Sequence, residues 1–145
     1  MPVDPSLSGR TFPATGALDV TEERIAAFAA ATGSAYDAGG PAPSTFPIVV
    51  AFEAMQALMD APDVGIELHH VVHGQQKFVH ERPVRAGDTL QAELTVTGLR
   101  QIGGADIIST SSAITDAGGH LVCTAEATLV HKAPNGGAPT GEAGA

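Results

Sequence analysis

Tryptophan is absent from this 145-residue sequence and aromatic residues make up only 4% of it, so Val, Ile, Leu and Ala must fill most of any core. A 43% apolar content still excludes a disordered acidic chain. Basic residues are scarce: 7 Lys and Arg stand against 16 Asp and Glu, a formal charge of −9 with a pI near 4.8. With no run of cations to displace counterions, neither nucleic acid nor an anionic membrane surface is an expected partner. The single cysteine, Cys123, cannot close an intrachain disulfide, and the opening MPVDPSLSGR lacks the basic start and apolar stretch of a secretory signal, which points to the cytoplasm. Long apolar runs are missing too. The longest, residues 46–59, is broken by Glu53 and Gln56 and falls short of the roughly 20 residues that span a bilayer.

Two helices and four strands are legible in what is present. Residues 1–19, rich in Pro, Ser and Gly, read as an extended lead-in. Thr21 before Glu22 and Glu23 is a helix start, because the hydroxyl caps free N–H groups and the acids favour the positive end of the dipole. Ile25, Phe28, Ala29 and Thr32 then form one stripe, and Gly33 supplies the stop. The Gly- and Pro-punctuated SAYDAGGPAPS, residues 34–44, is a loop. A second helix opens at Pro47 and is apolar on nearly every side from Ile48 to Met59, so it is expected to be buried all round. Strands are expected over residues 68–80, 89–99, 105–115 and 120–131, separated by turns at 85–88, 103–104 and 116–119, as an antiparallel meander. Residues 133–145 hold nothing large enough to bury and read as a disordered tail. The economical solution is an α+β hot-dog domain over residues 1–132, with the sheet wrapped around the apolar helix. Cys123 shares a strand face with Leu121 and Ala125 and is expected in the core.

The stretch HGQQKFVHERPVRAGDTLQAELTV, residues 73–96, resembles the MaoC-like family of (R)-specific enoyl-thioester hydratases and β-hydroxyacyl dehydratases. Residues 7–132 more closely resemble the actinobacterial branch of MaoC-like dehydratase N-terminal proteins, which includes the HadA and HadC subunits of mycobacterial fatty-acid dehydratase. The carrying motifs are Gly9-Arg10, APSTF at 42–46, VVHGQQKF at 71–78 and RPVRAGD at 82–88. Active members place an Asp and a His in an Asp-x-Asn-Pro-x-His pattern in the loop after the first helix, flanking one water. Here no Asp is followed by a His five positions on, and the only asparagine is Asn135. Asp37, in the corresponding loop, reads as a solvated acid.

The resemblance therefore implies a subunit without the dyad, binding an acyl-CoA or acyl carrier protein thioester. Its start of the second helix, Ser44, Thr45 and Phe46, and the Gly74-Gln75 pair would border the substrate; the plainer reading is that Ser44 and Thr45 cap a core helix. His73 and Glu53 are the catalytic candidates. Lys77, Arg82, Arg85 and Arg100 form a candidate patch for CoA phosphates or an acidic carrier protein, against scattered solvated charge. No cofactor is implied and no metal is expected, because His69, His70 and His73 fall in a strand where neighbours point to opposite faces. The reading with most support pairs this chain with a dyad-bearing MaoC-like partner. The alternatives are a homodimeric acyl-binding or regulatory protein, and a hot-dog thioesterase using a buried Glu53. All three expect an oligomer, because a lone hot dog leaves an edge strand open.

Overall fold

The computed structural model describes residues 5–61, 64, 66 and 70–132. The expected tail at 133–145 and the first part of the 68–80 strand lie outside them. Thr21 has extended backbone and its Oγ1 accepts the Arg24 N–H at 3.1 Å, starting α1 (Glu22–Thr32). Gly33, at φ 72°, ends it in the left-handed conformation that a side chain would strain. The stripe holds: Ile25 and Ala29 are buried, and Phe28 packs against the core.

Helix α2 (Ile48–Asp60) buries Val50, Ala51, Ala54, Met55, Leu58 and Met59. It is not buried all round, as its composition led us to expect. Phe52 is 49% exposed and Glu53 is exposed beside it, because a sheet curling over one helix covers only the side it faces. No helix of the described residues is long and apolar enough to cross a membrane.

After the short β1 (Leu18–Asp19) come β2 (Val71–His80), β3 (Thr89–Ile102), β4 (Ala105–Thr115) and β5 (Leu121–Lys132), in the order β1-β3-β4-β5-β2 with antiparallel pairing throughout. Only β3, β4 and β5 form the expected meander. Strand β2 pairs with β5 instead of with its successor, and residues 81–88 carry the chain back over three strand spacings, about 14 Å, well within the reach of eight residues. The β3–β4 hairpin closes on Gly103 and Gly104, both at positive φ, as a two-residue primed turn requires.

The concave face carries Leu90, Ala92, Leu94 and Val96, Ile108 and Ile114, and Ala125, Ala127 and Leu129, all buried against α2. Cys123 joins this core, and burial pushes its thiol up to about 11. The lead-in covers the β3 edge, with Gly9, Phe12 and Thr15 donating to the carbonyls of Val96, Leu94 and Ala92. The other edge is β2, where Val72 is 65% exposed and no strand lies beyond it among the described residues. A curled antiparallel sheet with its long helix in the concavity is the hot-dog arrangement.

Candidate functional site

Strand β2 departs from simple alternation. Its register with β5 shifts between His73 and Gln75, so Gly74 is an extra residue. His73 stands opposite Leu129, then Gln76, Phe78 and His80 stand opposite Ala127, Ala125 and Cys123, the buried inner row of β5. Lys77 and Val79 face outward, opposite Glu126 and Thr124. Without the bulge every one of these side chains beyond Gly74 would lie on the other face.

Between this strand, α1 and the start of α2 lies a groove of about 570 Å³ lined by Phe28, Thr32, Thr45, Ile48, His73, Gly74, Gln75, Gln76 and Phe78. It gathers four predicted residues, Thr45, His73, Gly74 and Gln75. Phe46 does not line it; it is buried and supports the wall edge-on to Phe28, with ring centroids 5.4 Å apart. Ser44 lines an adjacent depression of about 420 Å³ with Pro41, His80, Arg82 and Val84. There the His80 Nε2–H donates to the Ser44 carbonyl at 2.8 Å and ties β2 to the approach to α2.

The start of α2 is tighter than a plain helix N-terminus. Pro47 is its cap residue and no side chain caps it, so neither Ser44 nor Thr45 plays the capping role expected of them. Ile48, Val49 and Val50 donate instead to the carbonyls of Thr45, Phe46 and Pro47. Those N–H groups are already used, which weakens the case for a helix-end anion site here. Glu53 lies on the solvent side of α2 and does not line the groove. The loop of residues 34–44 folds back on α1: the Tyr36 hydroxyl donates to Glu22, which also accepts the Gly39 N–H at 3.1 Å, and Glu22 raises the Tyr36 phenol above its ordinary range. Asp37 is exposed on that loop.

The four predicted cations are not brought together. Lys77 and Arg100 sit on the outer face, on strands separated by β4 and β5. Arg82 grips Asp88 with two N–H groups, at 2.9 and 3.2 Å, and reaches Asp116 at 3.2 Å, while Asp88 also accepts the Arg85 N–H at 2.9 Å. The conspicuous Arg and Asp of RPVRAGD thus fix the link between β2 and β3. Burial alone would push the Asp88 carboxyl up, but Arg82 and the Arg85 N–H overcome it and hold it below the ordinary 3.8. A depressed carboxyl contributes stability that is present above its unfolded pKa and lost as pH falls through the folded value. Asp88→Asn is therefore expected to cost about 1–2 kcal/mol at pH 7 and to shed less stability than the wild type on acidification below about pH 4, read by urea unfolding at both pH values.

Sequence reasoning missed one buried polar pair. Asp106 and His131 face each other across β4 and β5, 3% and 1% exposed, with Nδ1 donating to Oδ2 at 3.1 Å, and Gln101 donates to Asp106 Oδ1 at 2.9 Å. The signal was phase. Asp106 shares the inner-face alternation of Ile108 and Ile114, and His131 that of Ala127 and Leu129. Of the histidine trio that the sequence reading set aside as metal ligands, His69 is outside the described residues; among those described no three His, Cys, Asp or Glu side chains come together to hold a metal ion.

A family model, the FAS1-like, dehydratase domain region, matches residues 6–125. The chain is 41% identical over 143 residues to a UPF0336 protein of Clavibacter michiganensis, covering 90% of this chain and 96% of that one, and 38% identical to another from Saccharopolyspora erythraea at 90% and 92% coverage. Among solved structures, a chain of the HadBC (3R-hydroxyacyl-ACP dehydratase) complex of Mycobacterium tuberculosis matches with a TM-score of 0.74 at 30% identity, over 86% of this chain and 96% of that one. HtdX of the same organism shares the fold, with a TM-score of 0.74 at 21% identity, over 86% of this chain and 52% of HtdX. The groove between helix and edge strand thus sits in a chain that belongs to the FAS1-like, MaoC-like hot-dog dehydratase family, alongside the actinobacterial UPF0336 proteins.

Proposed function

We infer that this chain is the acyl-binding half of a cytoplasmic (R)-3-hydroxyacyl-thioester dehydratase of fatty-acid metabolism, working beside a MaoC-like partner that carries the Asp/His dyad. One observation carries the reading: the groove is large enough for an acyl chain, yet among the described residues no carboxylate lines it. Dehydration needs one group to take a proton from Cα and one to protonate the departing hydroxyl, and His73 alone is one group. The open β2 edge gives a partner a place to pair, and the matching HadBC structure is itself a two-component complex. In this reading the acyl chain lies along Thr45, Ile48, Gly74, Gln75 and Phe78. The thioester head leaves past Ser44, toward the exposed Arg85, which meets phosphate or an acidic carrier protein. Residues 1–132 form the working unit.

The thioesterase alternative required a buried Glu53, and Glu53 is exposed. A homodimer remains the competing assembly. The test is to purify the chain alone and co-expressed with a dyad-bearing MaoC-like chain, and to assay both on crotonyl-CoA and longer enoyl-CoAs. Hydration by the co-purified pair only is the expected result. Hydration by the lone chain, or no complex with the partner, overturns it.

A further inference from the structure

Of the polar groups lining the groove, Gln76 is placed differently from the rest. The Thr32 hydroxyl donates to the Phe28 carbonyl at 2.9 Å, and Thr45 and His73 are open to solvent. Gln76 Oε1 is cut off from solvent and has no hydrogen-bond partner among the described residues, where the Nε2 of the same amide reaches only the Lys77 carbonyl, at a long 3.4 Å. The bulge at Gly74 puts this side chain in the inner row, opposite Ala127 and beside Phe78. An amide whose acceptor is left unmade in a mostly apolar wall is expected to be completed by something that enters the groove. The terminal torsion of Gln is soft, so turning the oxygen toward an occupant costs little.

What enters must bring a hydrogen-bond donor to a stretch of wall that Gln76 shares with the apolar Phe28, Ile48 and Phe78. An alkyl chain has none, and neither a C=C bond nor a thioester carbonyl donates. A hydroxyl on the chain does. We propose that Gln76 accepts the hydroxyl hydrogen of a 3-hydroxyacyl chain at Oε1 and so makes the groove prefer hydroxyacyl thioesters over saturated ones of equal length. The inference rests on the acyl-binding reading of the groove. A saturated chain leaves the same solvent-excluded acceptor unsatisfied, whereas a hydroxyl completes it, and that difference is the source of the preference.

The test is calorimetric titration of the full-length protein with (3R)-hydroxyoctanoyl-CoA, octanoyl-CoA and free CoA, in the wild type and in Gln76→Met, which keeps length and shape and removes the acceptor. Wild type is expected to bind the hydroxyacyl ligand about tenfold tighter than the saturated one. Gln76→Met is expected to bind the two equally and to melt no lower than wild type, showing an intact fold. A wild type that binds both acyl ligands equally, and tighter than free CoA, overturns the inference while leaving the groove reading standing. Equal weakening of both acyl ligands by Gln76→Met also overturns it, because the acceptor then serves an amide of the pantetheine arm. Acyl ligands that bind no better than free CoA overturn the groove reading and the inference together.

Discussion

His131→Ala is expected to lower the melting temperature by about 10 °C, the loss that roughly 3 kcal/mol produces in a domain of this size. Asp106 is 3% exposed and His131 1% exposed, and they are direct cross-strand neighbours on β4 and β5. Truncation withdraws the Nδ1 donor that lies 3.1 Å from Asp106 Oδ2 and leaves that carboxylate in a low-dielectric interior with the Gln101 amide on its other oxygen. The lost imidazole also opens a void that a sheet held by ladders on both sides cannot collapse to fill. These two costs separate in a second variant. Asp106→Leu with His131→Leu removes both polar groups and refills the space, so it is expected to recover most of the loss. Differential scanning calorimetry on the three proteins decides the matter. If His131→Ala melts within about 2 °C of wild type, the pair contributes little, because a buried carboxylate deprived of its partner does not go unnoticed in a fold with only about 5–15 kcal/mol to spare.

That pair also shows what the sequence could and could not disclose. Local rules read α1 to the residue, because a threonine cap and a left-handed glycine act within a few positions of themselves. The strands were legible for the same reason, although β3 runs on to Ile102 to meet its tight turn. Placement of β2 beside β5 was not, since a link of residues 81–88 reaches any strand of the sheet and its length carries no choice. The buried face of α2 was equally hidden: a helix apolar on every side does not say which side its sheet will take, and Glu53 fell on the open one. In the site, resemblance supplied Thr45, His73, Gly74 and Gln75, and the fold brings them to one groove. Gln76 was passed over because counting by twos from His73 turns it outward. Only the bulge at Gly74 reverses that, and an isolated glycine within a strand was the available hint. Arg82 read as a free cation because its acceptors, Asp88 and Asp116, stand 6 and 34 positions away, and only the near one lay in the motif.

Thr45→Trp is expected to weaken binding of octanoyl-CoA by about 100-fold, equivalent to about 2.7 kcal/mol, while shifting the melting temperature by no more than about 2 °C. Thr45 is exposed, precedes α2, and contributes to the helix start through its backbone carbonyl, which accepts the Ile48 N–H at 3.0 Å. Changing its side chain therefore leaves the turn intact. The indole, however, enters a groove whose walls already present Phe28 and Phe78, and it takes the volume that an acyl chain would need. In a complex with a dyad-bearing partner the same variant is expected to lower kcat/KM in step with the lost affinity, because the missing contact is made by bound substrate and transition state alike. Glu53→Ala, on the far side of the same helix, serves as the contrast and is expected to leave binding unchanged. Should Thr45→Trp bind the acyl ligand as wild type does, the chain must lie elsewhere. A fall with Glu53→Ala instead would move the site to the exposed face of α2, beside Phe52, where a partner subunit would have to complete it.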